Sequence, residues 1–175
     1  MGGKLQPEAL INTKVYDGVN DLLGIANITL PDIENLNETV SGAGIAGEVE
    51  AAILGHFSAM SISLEWRTIN KHLISLSTPN AHDLDIRGAQ QVYDPGSGEV
   101  KVQPVRIYVK CRPKKLGLGS AGASQTTGST TDLEVVYIKV IIDGETFLEL
   151  DKFNYICIIG GTDILADVRE ALGIF

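Results

Sequence analysis

The stretch "MSISLEWR", Met60–Arg67, alternates between apolar and polar side chains. A repeat of two, with apolar side chains on one side and polar side chains on the other, is typical of a half-buried β-strand. The stretch therefore predicts a strand whose tryptophan lies in the core. The two faces are Met60, Ile62, Leu64 and Trp66 against Ser61, Ser63, Glu65 and Arg67.

The same repeat extends along the chain. Residues 83–93 alternate Leu84, Ile86 and Val92 with polar side chains, and a turn rich in Pro and Gly leads into residues 100–112. In that second run the phase of the alternation slips at Gln103-Pro104. Because proline cannot donate to a β-ladder, the slip predicts a bulge or an edge position.

Residues 133–159 predict three more strands, with a tight hairpin at Asp143-Gly144. The run Val135–Ile142 is apolar on both faces apart from Lys139, so it is either a central strand or a strand covered by another subunit. Residues 13–31 predict an N-terminal hairpin that turns near Asp17-Gly18.

Two helices are predicted. Residues 69–76 place Ile69, Leu73 and Leu76 on one face and end before a proline. Residues 162–173 have Thr162 as the expected cap and Gly173 as the exit. The apolar face of the second helix comprises Ile164, Leu165, Val168, Ala171 and Leu172.

Composition limits the function classes. The 175 residues fit one domain, 1–175, and the net charge of −8 argues against a protein that grips nucleic acid by its phosphates, though not against one that nucleic acid moves past. The apolar runs are too short to cross a bilayer, so no stable membrane insertion is expected. The two cysteines, Cys111 and Cys157, lie in strand-like runs and are expected to be buried, reduced thiols.

Three glycines, Gly42, Gly44 and Gly47, spell the dinucleotide-binding pattern G-x-G-x-x-G. That motif requires a buried strand before it and a helix after it. Here a polar stretch precedes the glycines, strands follow strands, and "EVEAAILG" after them suits a helical turn or a strand. We therefore expect a bent surface loop and no cofactor site.

Other candidate sites are weak. The histidines His56, His72 and His82 lack metal-ligand spacing and are expected in a turn, on a helix and in a loop, so no metal site is predicted. No nucleophile motif suggests a catalytic residue. A basic cluster permits nucleic-acid contact, but such a face is more often solvated or paired with acids of a neighbouring subunit. This cluster comprises Arg106, Lys110, Arg112, Lys114 and Lys115, of which Arg106, Lys110 and Arg112 share one strand face.

The order of these features resembles the major tail tube proteins of contractile-tailed phages. The resemblance covers essentially the whole chain, and its sharpest elements are short. They are Thr29-Leu30-Pro31, Gly42-Ala43-Gly44, Leu64-Glu65-Trp66, and Asp143-Gly144 followed by Asp151.

The resemblance implies a mainly β (α+β) fold, in which two packed antiparallel sheets form a barrel-like sandwich with one or two flanking helices. Long loops are expected at about 31–48 and 113–132; the second is rich in Gly, Ser and Thr, so we expect it to be mobile in the free subunit and ordered by a neighbour.

The resemblance also implies a non-enzymatic subunit of stacked hexameric rings. These rings form a conduit for DNA ejection, contact the sheath, baseplate and tail terminator proteins, and assemble in the bacterial host cytoplasm. The related tubes of phage-tail-like bacteriocins and type VI secretion are the alternative within the class. A nucleotide-binding enzyme and a monomeric β-sandwich binding module are the alternatives outside it.

Overall fold

The computed structural model describes residues 4–174, which contain twelve strands and two short helices. The first half of the chain forms β1 (Gln6–Asp17), β2 (Asn20–Asp21), β3 (Ile25–Thr29), β4 (Asn35–Ser41), β5 (Glu48–Phe57), β6 (Met60–Trp66) and α1 (Lys71–Ser75). The second half forms β7 (His82–Asp94), β8 (Glu99–Gly117), β9 (Ser129–Ile142), β10 (Glu145–Asp151), β11 (Ile156–Ile159), β12 (Thr162–Asp163) and α2 (Ala166–Leu172).

The chain is mainly β, with one large antiparallel sheet and one small one. The large sheet runs β12-β11-β10-β9-β8-β7-β1-β2, and a branch at β9 adds β6 and then β3. The small sheet is the hairpin β4–β5. Within residues 4–174 the main path of the large sheet has two ends, at β12 and β2, so one subunit does not form a closed barrel. The mainly β fold with flanking helices is confirmed, whereas the barrel-like sandwich stays a prediction.

The strand of Trp66 lies at the centre of the core, as the alternation predicts. Met60, Ile62, Leu64 and Trp66 are at most 1% exposed, while Glu65 between them faces solvent. The indole N–H of Trp66 donates to Thr131 Oγ1 at 3.1 Å, so its one polar group is satisfied.

The long hairpin β7–β8 carries the second alternating pair of strands. Leu84, Ile86 and Val92 are buried, as predicted. The β7–β8 register is uninterrupted past Pro104, so the predicted bulge at Gln103-Pro104 is wrong. The edge alternative is confirmed, because pairing of β8 with β9 begins only at Val105.

Both predicted hairpins are confirmed. β1 turns into β2 after Asp17, and β9 turns into β10 through Asp143 and Gly144, whose φ angles of 52° and 82° suit a tight two-residue turn. β9 pairs with β8 on one side and with β6 and β10 on the other, which explains the apolar run Val135–Ile142 by a central position.

The helices are shorter than predicted. In α1, Leu73 and Leu76 are buried, but Ile69 is half exposed and precedes the Asn70 cap, so its predicted place on the buried face is wrong. The predicted cap at Thr162 is also wrong. Thr162 and Asp163 pair with β11, which delays α2 until Ala166, whereas the exit at Gly173 is confirmed.

Each of the two expected long loops is partly strand. Residues 31–48 contain the whole of β4 and the turn into β5, because polar side chains suit an exposed hairpin as well as a loop. Residues 113–132 shrink to 118–128, since β8 continues to Gly117 and β9 starts at Ser129. The Thr127 amide donates to Arg67 O at 2.8 Å, which ties the remaining loop to the end of β6.

Candidate assembly surfaces and the polar sheet face

The hairpin β4–β5, which we call the arm, exposes apolar side chains. Every residue of β4 is exposed, and β5 presents Val49, Ile53 and Leu54 to solvent. Val40 and Val49 lie directly opposite each other, so they form an apolar spot on one face of the arm. Exposed apolar strands with unpaired edges are templates for pairing with another chain.

The tip of the arm contains the three glycines of the dinucleotide pattern. Their φ angles are 132°, 94° and 119° at Gly42, Gly44 and Gly47, and a Cβ added to any of them would meet nothing within 4 Å. A strand, β5, follows them instead of a helix. The expectation of a bent surface loop is therefore confirmed, because these glycines shape an exposed turn between two strands.

The base of the arm is fixed to the subunit at Gly55. Its φ is 67°, and a Cβ there would lie 2.3 Å from Leu165 Cδ2. The buried Leu165 side chain thus packs directly over the glycine backbone. The Ser58 amide also donates to Glu34 O at 2.8 Å, and Lys152 Nζ donates to Ser58 O at 2.9 Å. The arm therefore projects from an anchored base.

A second apolar surface lies beside the free edges of β1 and β3. Among residues 4–174, no strand pairs with the outer edge of β1 from Gln6 to Lys14 or with the outer edge of β3. Between these strands runs a groove of about 610 Å³. Its apolar lining includes Leu10, Ile25, Ile28, Leu30, Val105 and Ile107.

The total surface is large for the mass. The chain exposes 11066 Å², whereas a compact monomer of 18.7 kDa exposes about 8,300 Å² by the usual scaling. The excess is of the size that stable protein interfaces bury. Projecting strands and open edges therefore leave surface that a second copy has room to cover.

The face of the large sheet opposite the core is polar and rich in matched charges. Lys139 lies opposite Glu149, Arg112 opposite Glu134, and Lys115 opposite Asp132. Lys110 Nζ lies 3.9 Å from Asp83, and Lys14 Nζ lies 3.0 Å from Asp21. Opposite charges on neighbouring strands stabilise a sheet by a few tenths of a kcal/mol or more per pair.

Asp85 is the most buried acid of this polar face. Its two oxygens accept hydrogen bonds from Arg106 Nε and Nη2 at 2.9 and 2.7 Å, and Arg87 Nε donates to it at 2.9 Å. These contacts, Arg106 foremost, hold the pKa of Asp85 below its ordinary value against the opposing effect of burial.

The basic cluster predicted from the sequence is therefore paired within the subunit. Arg106, Lys110, Arg112 and Lys115 each have an acid of the same chain as ion-pair partner or cross-strand neighbour, and Lys114 is the extra residue of a bulge. The sequence alone missed this pairing, because Asp85 lies 21 residues before Arg106. The β7–β8 register, which brings them together, is the signal that finds it.

The remaining candidate residues are separated. His56 lies on β5 and His82 begins β7, so the predicted turn and loop positions are wrong, whereas His72 is on α1 as expected. Across residues 4–174, no group of three or more His, Cys, Asp or Glu side chains has the arrangement of a metal site. Nor does any helix of that span have the length and apolar character needed to cross a membrane.

Both cysteines are buried free thiols, as predicted. Burial, followed by the nearby charges of Asp17 and Asp83, raises the pKa of Cys111 to about 12. Burial also raises the pKa of Cys157. Thiols with raised pKa values are poor nucleophiles, so neither cysteine has the chemistry of a reactive site.

Comparison of the chain with known proteins identifies its family. The family described as "Phage tail tube protein FII" matches residues 7–173. Because that match covers nearly the whole chain, the protein belongs to the phage tail tube protein family, which confirms the resemblance seen in the sequence. It is a structural protein, as expected, and not an enzyme.

Two individual relatives of the chain are also tail tube proteins. The major tail tube protein of Serratia phage KSP20 is 23% identical over 163 residues, covering 93% of each chain. The tail tube protein of Escherichia phage P2 is 23% identical over 170 residues, covering 94% of this chain and 92% of its own.

A solved structure shares the fold. It is described as the sheath/tube terminator, in the extended state, of the extracellular contractile injection system PVC. It aligns with a TM-score of 0.51 at 15% identity, over 78% of this chain and 96% of its own.

Proposed function

We propose that the chain is the subunit of the inner tube of a contractile phage tail. Six copies form a ring, rings stack, and the resulting tube is the conduit for DNA ejection. The main support for self-assembly is that the chain exposes more surface than a compact monomer of its mass and has open strand edges. The barrel that one subunit leaves open is closed by its neighbours, which also removes edges that would otherwise aggregate.

The arm is the proposed contact between copies. Its apolar spot at Val40 and Val49 is accessible, its base is fixed at Gly55, and its length takes it away from the core of its own subunit. A second copy of the chain offers the matching chemistry in the apolar groove beside β1 and β3. Burying apolar side chains contributes about 25 cal/mol per Å², so several small contacts around a ring add up.

The polar sheet face is the proposed wall of the bore. A wet channel requires a polar surface, and on this face most cations lie beside or opposite an acid of the same chain. The opposite face of the sheet packs on Trp66 and the rest of the core, so it is buried and is not available to line a lumen.

Other partners follow from the place of a tube in a tail. The sheath protein surrounds the tube, and baseplate and tail terminator proteins meet its two ends. Assembly takes place in the bacterial host cytoplasm, and the product resides in the virion tail. The fold shared with an extracellular contractile injection system supports one alternative, a tube of a bacteriocin or secretion particle.

Two matched substitutions on the arm test the proposal. Val49→Asp places a charge on the apolar spot, and Ala52→Asp places the same charge on the other face of the same strand. Both variants should melt like the wild type, because both sites are exposed. In sedimentation of concentrated protein, Val49→Asp should stay monomeric while Ala52→Asp and wild type assemble. Equal assembly by all three chains would exclude the arm as the contact.

A further inference from the structure

Three cations stand in one row across the polar sheet face. Lys14 on β1 lies directly opposite Arg87 on β7, and Arg87 lies directly opposite Arg106 on β8. Neighbouring strands are about 4.8 Å apart, and like charges directly opposite each other destabilise a sheet. A row of this kind persists only where nearby acids compensate it.

The compensating acids lie beside and beneath the row. Asp85 binds both arginines through their Nε and Nη2 atoms, and Asp21 binds Lys14. The Asp85 side chain is only 11% exposed, whereas those of Arg87 and Arg106 are 53% and 40% exposed. The arginines thus form the accessible surface, and the carboxylate that holds them lies below it.

Two tyrosines fix the planes of the guanidinium groups. Arg87 stacks over Tyr16 with 4.6 Å from Cζ to the ring centre, and Arg106 stacks over Tyr108 at 4.4 Å. Tyr16 and Tyr108 flank Asp85 on the neighbouring strands. Each guanidinium therefore has one flat face on a ring and its Nε–Nη2 edge on the carboxylate.

We infer that Asp85 is a positioning residue that masks Arg87 and Arg106 from phosphate groups, and that Asp21 masks Lys14 in the same way, so that this face lets a nucleic acid move past without retaining it. The Nε–Nη2 edge that binds a carboxylate in bidentate fashion is the same edge that binds a phosphate. Three unmasked cations in a row would instead supply the contacts that hold a phosphate backbone. Only the identity of the passing polymer rests on the proposed function; the masking rests on the contacts above.

Binding of a short DNA duplex to the free subunit tests the masking. Asp85→Asn should bind more tightly than wild type, with a steeper salt dependence. Each added phosphate contact contributes a slope of about 0.9 in log affinity against log salt, so two released arginines increase the ratio of affinities at 50 and 200 mM salt roughly tenfold. The control is Glu48→Gln on the exposed arm, which changes net charge by the same amount. Equal gains in Asp85→Asn and Glu48→Gln would overturn the inference, since net charge alone would then explain them.

A second variant covers the case in which Asp85→Asn does not fold. Asp21→Asn releases Lys14 from a pair in which both side chains are accessible, so the fold is retained and the salt slope should rise by about 0.9. A slope no different from that of Glu48→Gln would overturn the inference, as would a wild-type subunit that already binds DNA with a slope of three contacts. Microscopy of the wild type tests the proposed function separately. If the arginines are masked but no tubes form, the proposed tube function is contradicted and the masking still holds.

Discussion

The strands β5 and β6 follow each other along the chain, and their apolar side chains have opposite fates. In β6, Ile62 and Leu64 are fully buried in the core. In β5, Val49 is 53% and Leu54 58% exposed, although only Ser58 and Ala59 separate the two strands. The strand β6 therefore stabilises the folded subunit. The strand β5 instead provides apolar surface that is left for a second molecule to bury.

The largest expected effect is that of truncating the centre of β6. Trp66→Ala removes a fully buried aromatic side chain and the hydrogen bond to Thr131, and should cost about 3–5 kcal/mol of unfolding free energy. Val49→Ala on β5 should change that free energy by less than about 0.5 kcal/mol. Urea titration of both variants measures the contrast, and similar losses in both would show that the arm is part of the folding core.

The anchor between the two regions comes next. Gly55→Ala forces a left-handed φ on alanine and pushes its Cβ into Leu165, which should cost roughly 2–4 kcal/mol. Gly18→Ala is the matched control, because its φ of 61° is close to the 67° of Gly55 and nothing lies within 4 Å of the added Cβ. It should lose only about 1–2 kcal/mol. If thermal melts give equal losses, the arm is not packed on Leu165.

Acid should weaken the sheet through Asp85. Its pKa in the folded state lies below its ordinary value, so its contribution to stability is fully present above about pH 4 and is lost as pH falls through the folded pKa. Asp85→Asn should therefore flatten the fall of the urea midpoint below about pH 4. An unchanged acid limb would mean that other carboxylates control it.

The smallest expected effect concerns the reactivity of a buried thiol and involves no change in stability. Burial raises the pKa of Cys111 to about 12, so a thiol reagent at pH 8 should label it only when the core opens. A cysteine introduced at the exposed Ala52 of the arm should react at the rate of a free thiol. Fast labelling of Cys111 in the native protein would contradict the closed core.

The fold was predictable where side chains alternate and where a turn has its own chemistry. The burial of Trp66 and the hairpin at Asp143-Gly144 follow from local pattern. The position of Thr162 did not, because a two-residue pairing with β11 overrides its propensity to cap a helix. The arm lies where the sequence predicts a loop, because every side chain of β4 and most of those of β5 are exposed, so no buried face marks the strands.

The charge pairs of the polar face could not be predicted from the sequence for a different reason. Which acid meets Arg106 depends on the register of β7 against β8, and the alternation alone does not fix that register. The sequence identified the family, but the pairing of charges required the sheet.

Microscopy of the concentrated wild-type chain tests whether the subunit assembles into a hexameric tube. Class averages of negatively stained particles report both the presence of rings and their symmetry. We expect rings of six copies that stack into hollow tubes. A chain that stays monomeric at high concentration in several salts would contradict it, and so would rings of five-fold or eight-fold symmetry.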